Sequence, residues 1–206
     1  MEKHKTEKNG LRQINRKWHF LDIGRPARKG EIMDKPNLQE EARMLAEYEA
    51  AAPDLVMRHI KRIPLIEYFY KLRHIPKYEL ACEMLCQEDL AELAAMNEAY
   101  IQQEAERLTK SIEKLQALDF DPDDPYVKRR FSELDQVYNR GFCARIPAFD
   151  RLGMIAERRE DFECAALTYL EAIHWYKKWG MATEPYEKKL ERVKKNARKK
   201  AQPEGE

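Results

Sequence analysis

Apolar residues recur along most of this chain at intervals of three and four, the spacing of one face of an α-helix. Ile101, Ala105, Leu108, Ile112 and Leu115 step by four, three, four and three. They lie in residues 87–120, within the longest stretch free of Gly and Pro, and form a coiled-coil-like seam. The seam is too short to be a self-sufficient coiled coil, so packing on neighbouring helices is expected, with self-association as the other use. Val127, Phe131, Leu134 and Tyr138 repeat the pattern in a following helix.

Capping residues and prolines divide the rest. Asn37 with Glu40 three residues on has the form of a helix cap, and predicts a helix to about Ala52, stopped by Pro53. Short helices are expected over 54–62, ending ahead of Pro64, and over 65–73. Pro76 suits a first helical position, and opens another short helix over 77–86. The run DFDPDDP at 119–125 breaks the chain. Asp124 and Pro125 start the next helix, and Gly141 ends it. Pro147 opens a hairpin that turns near Glu160 and Asp161, and its second helix reaches Trp179. Thr183 and Pro185 begin a last helix, all charge by Lys194 and Lys195. No segment of the body alternates as a strand would. The expected fold is all-α, about eight helices in antiparallel hairpins. Residues 1–36 read as a basic, largely extended arm with the apolar patch Trp18 to Leu21 as its candidate docking element, residues 37–201 as the helical domain (37–120 and 125–201), and 202–206 as a tail.

Composition agrees with that class. Gly is scarce, at 7 of 206 residues, where a β-fold with many tight turns needs more. Charged residues make up 36% of the chain, yet the net charge is +1. It is unevenly spread: residues 1–30 carry +6 and residues 186–206 carry +4, which leaves −9 for the middle. Arg25, Arg28, Lys29, Lys194 and Lys195 are therefore the candidates for nucleic-acid contact, the alternative being solvated ends. No apolar run reaches the ~20 residues that span a bilayer, and the first residues lack a secretory core. A cytoplasmic location with free cysteines is expected.

Catalytic signals are sparse. Cys82 and Cys86 share a helical face and would make half a metal site, but buried thiols explain them better. Asp119, Asp121 and Asp123 fit the first positions of a calcium loop, whereas Asp124 replaces its glycine and Arg130 its closing glutamate. His59, His74 and His174 have no evident partner. Aromatic residues at 68–70 and at 175, 176 and 179 suit a core, with base stacking as the alternative. No catalytic, cofactor or metal residue is assigned, and an enzyme with an unfamiliar helical site stays open.

One segment carries more. In AFDRLGMIAERREDFECAALTYLEAI, residues 148–173, Gly153, Ala165 and Ala172 are small and Tyr169 lies between the last two. Two helices approach closely only where side chains are small. This segment resembles a single tetratricopeptide repeat over residues 146–179. Gly153, Ala165, Tyr169 and Ala172 take its small, small, aromatic and small positions, and Phe149 its bulky one. Ala156 and Lys177 depart from the pattern, and no second copy lies 34 residues upstream. The resemblance implies an adaptor that binds a peptide or helix in a groove between hairpins, with Asp150, Met154, Glu157 and Arg158 facing the partner. An ordinary antiparallel helix pair explains the same small residues.

Overall fold

The computed structural model describes residues 35–118 and 120–201. Among them are seven helices and no strand: α1 (Leu38–Ala50), α2 (Leu55–Lys71), α3 (Pro76–Ala117), α4 (Pro125–Arg140), α5 (Pro147–Arg158), α6 (Phe162–Lys178) and α7 (Glu184–Ala201). Local chemistry starts them where the sequence suggests. Asn37 Oδ1 accepts from the Glu40 N–H at 3.2 Å, and Asp124 Oδ1 accepts from the Tyr126 N–H at 2.7 Å. Pro76, Pro125 and Pro147 open α3, α4 and α5.

Two expected boundaries are absent. α2 runs through Pro64 as one helix. Proline removes the bond to the carbonyl of Ile60, on a face of α2 where Ile60 is 41% exposed. Leu65, Ile66 and Phe69 just beyond are buried and keep the helix on course. α3 is likewise one rod of 42 residues, about 63 Å long at 1.5 Å per residue. Cys86 and Asp89, on either side of the expected division, are both buried, and nothing between them interrupts the helix.

α3 organises the molecule. α2 and α5 pack along it, α4 folds back on it, and α1 rests on α2. α5, α6 and α7 then follow as consecutive antiparallel neighbours. The turn between α5 and α6 uses Glu160 at φ 59°. Gly153, Ala165, Tyr169 and Ala172 all lie buried at the contact of these two helices. A ring cluster closes this end: Tyr176 stacks on Tyr186 at 5.1 Å, and Phe149 stands 6.2 Å from Tyr176.

Candidate functional site

α5 runs against α3 in the opposite direction. Arg159, just past its end, pairs with Glu79 and Glu83 near the start of α3, while Phe149 at its beginning lies beside Leu90, Leu93 and Ala94. α6 turns back and therefore runs parallel to α3. The result is a groove of about 450 Å³ floored by Phe149 of α5. Leu90 and Ala94 form one wall, and Leu170, His174 and Trp175 the other.

α6 has two faces. Ala165, Tyr169, Ala172 and Tyr176 step by four, three and four and are buried. Leu167 and Leu170 point elsewhere, 56% and 48% exposed, and Leu170 lines the groove. Exposed leucines that cover nothing in the chain mark a surface suited to a partner when they cluster. The groove also holds an orphaned donor. The Trp175 Nε1 is sealed from solvent with no hydrogen-bond partner among the described residues, as is that of Trp179, whose ring lies 6.0 Å away.

The four residues that the repeat resemblance pointed to sit on other faces of α5. Asp150, 2% exposed, is enclosed. It takes Arg145 Nε at 2.8 Å, the Lys189 ammonium and the Tyr186 hydroxyl. Burial alone would raise its pKa, but the hydrogen bonds and charges of Lys189 and Arg145 outweigh it and hold the carboxyl below the usual aspartate range. Glu157 accepts from the Tyr169 hydroxyl at 2.7 Å and pairs with Arg192 at 2.6 Å. Both carboxylates thus hold α7 in place. Met154 Sδ lies 3.7 Å from the Tyr70 hydroxyl of α2, and Arg158 Nη1 is 3.5 Å from the Arg73 carbonyl. Lys194 pairs with Glu191 at 2.9 Å, and Lys195 is exposed on α7. Arg25, Arg28 and Lys29 lie outside the described residues.

A depressed carboxylate pKa gives a definite acid response. The contribution of Asp150 is present above the unfolded aspartate value of about 3.9 and is lost as pH falls through its lower folded value. Stability is expected to fall below about pH 4, with part of that slope missing in Asp150→Asn. Urea midpoints measured from pH 6 to pH 3 check this; equal acid slopes in both proteins would refute it.

A second polar cluster lies between α2 and α3. His59 Nδ1 stands 2.8 Å from Asp89 Oδ1, and Arg62 Nη1 donates to the same oxygen at 3.0 Å. Arg62 also reaches Glu92 at 2.9 Å and the Tyr48 hydroxyl at 2.9 Å. His59, Arg62 and Asp89 are all buried, and the Phe142 ring stands edge-on to His59 at 5.2 Å. An imidazole backed by a carboxylate has the form of a general base, yet here the pair is packed inside the helix contact. Cys82 and Cys86 are buried beside it on α3. Among the described residues no group of three His, Cys, Asp or Glu is placed to hold a metal ion. No helix among them is long and apolar enough to cross a membrane.

Sequence reasoning missed the groove. Its signal was a second apolar stripe on α6, Leu167 and Leu170, opposite the small-residue face. The fold defines an all-helical protein arranged around one long rod. No protein-family model matches the chain, and no curated protein or solved structure matches it either.

Proposed function

We propose that this chain is a non-catalytic interaction module whose groove between α3 and α6 receives an amphipathic helix or peptide. The observation that carries the reading is Leu170, exposed beside an apolar floor at Phe149, with Leu167 exposed one turn before it on α6. Two parallel helices flanking a lower third form a trough with the shape of a missing helix, the arrangement used in helix-in-groove recognition. Apolar side chains of the partner would cover the leucines and Leu90. Glu171 and His174 at the rim favour a partner with donors or positive charge beside its apolar stripe. The hairpin of α5 and α6 builds the floor and one wall, and the contact face proposed here lies on α6 in place of Asp150, Met154, Glu157 and Arg158.

The test uses peptides selected from a displayed library of helical sequences on the intact chain. Binding is expected to weaken by about a hundredfold in Leu167→Glu with Leu170→Glu, from the loss of two apolar anchors. The helical circular dichroism should not change, because both side chains face solvent. If selected peptides hold the double variant as tightly as the original, the groove is not the binding face.

A further inference from the structure

We infer that this chain pairs with a second copy of itself through the spur formed by α4 and the second half of α3. α4 folds back on α3, and its only buried residue is Val127. The remainder of its apolar stripe is only partly covered: Phe131 is 46% exposed and Tyr138 59%. The seam of α3 that it faces is apolar too, with Ala105, Leu108 and Ile112 buried. Between Tyr138 and the α3 residues Ile101 and Ala105 lies an open groove of about 600 Å³. Ala105, Leu108 and Ile112 are already covered within the chain, so what is left open is the groove beside Ile101, rimmed by polar side chains, together with the exposed rings of Phe131 and Tyr138. A four-helix arrangement encloses the groove and the rings, with both copies of each turned inward.

Charge selects the occupant. Residues 97–117, the second half of α3, carry four acidic and three basic side chains, and α4 carries four basic and two acidic. The stretch of α3 therefore has an excess of −1 and α4 of +2. Ion pairs do not cancel these excesses across the spur. Glu104 with Arg107 and Glu106 with Lys110 lie within α3, and Arg129 and Arg130 with Glu133 lie within α4. A two-fold axis presents the same surface twice, so it can set each α3 against the partner's α4. Opposite charges then meet along both flanks while Phe131 and Tyr138 become central. A single foreign helix of either sign would match only one flank. The spur is separate from the groove beside α6, so this pairing stands or falls independently of the proposed peptide site.

Sedimentation velocity of the full chain from about 1 to 100 μM is expected to show a dimer. Phe131→Glu with Tyr138→Glu should raise its dissociation constant by about a hundredfold or more, since buried aromatic anchors dominate such interfaces. If that variant loses helical circular dichroism, the wild-type chain supplies a second measurement. Carbodiimide cross-linking of mixed ordinary and ¹⁵N-labelled chains should join Glu98, Glu106 or Glu113 to Lys128 of the partner subunit. A monomer across the whole concentration range would overturn the proposal. So would a folded double variant that dimerises unchanged, or intermolecular cross-links confined to other faces.

Discussion

Replacing Asp89 with alanine is expected to destabilise the protein by about 3–5 kcal/mol, the range for removing one partner of a buried charge network. Asp89 Oδ1 receives both the His59 ring nitrogen at 2.8 Å and Arg62 Nη1 at 3.0 Å. Truncation leaves those groups facing a cavity between α2 and α3, where no water reaches at low cost. Glu92 and the Tyr48 hydroxyl still hold the other guanidinium nitrogen of Arg62, which keeps the loss from being larger. The burial of Arg62 works against its charge, but the bonds to Tyr48 and Glu92 and the charge of Asp89 more than compensate, so it stays a cation in the folded state. Most domains have only about 5–15 kcal/mol in total, so this one change consumes a large part of it. Urea unfolding monitored by circular dichroism measures the loss. A drop of less than about 1 kcal/mol would show that the network contributes little. The combination His59→Leu, Arg62→Met and Asp89→Leu should recover much of the stability, because an apolar cluster of similar volume removes the desolvation cost.

Gly153→Val should cost about 3 kcal/mol or more, at the upper end for overpacking a closed core. A Cβ at this position would lie 2.4 Å from Tyr169 Cε1 and 2.6 Å from its Cζ. The ring has nowhere to go. It is fully buried, its hydroxyl donates to Glu157, and the Tyr186 ring stands 6.3 Å away. Alanine is the milder probe, since its better helix propensity offsets about 1 kcal/mol of the clash. Thermal or urea denaturation of Gly153→Val, Tyr169→Leu and the double variant separates the causes. The two changes should be strongly non-additive, with Tyr169→Leu relieving much of the valine penalty. Additive losses would mean that the ring and the glycine are not in the tight contact described.

How much of this was legible beforehand differs from one feature to the next. Close packing of two helices at Gly153, Ala165 and Ala172 could be read from their small side chains, whereas the structure alone shows that the Tyr169 ring is what fills the space at Gly153. Helix starts at Asn37, Asp124 and Pro147 were legible for a local reason: a cap or an N-terminal proline acts on its own first turn. Pro64 misled because the burial of Leu65, Ile66 and Phe69 beyond it, which offsets the cost of a proline inside a helix, depends on neighbours distant in sequence. Asp150 and Glu157 misled because a carboxylate on a helix surface looks the same in sequence whether solvent or a neighbouring Lys189 or Arg192 faces it.

By itself, then, the chain determined its helical character, the helix-forming faces and the small-residue contact between α5 and α6, since all of these follow from interactions within three or four residues or from the periodicity they impose. Only the tertiary structure decided that α3 would be one uninterrupted rod, that Asp89 and Asp150 would be enclosed, and that Leu167, Leu170, Phe131 and Tyr138 would be left uncovered. Periodicity says which side of a helix is apolar. What lies opposite that side depends on helices distant in sequence, and burial and charge pairing are set there.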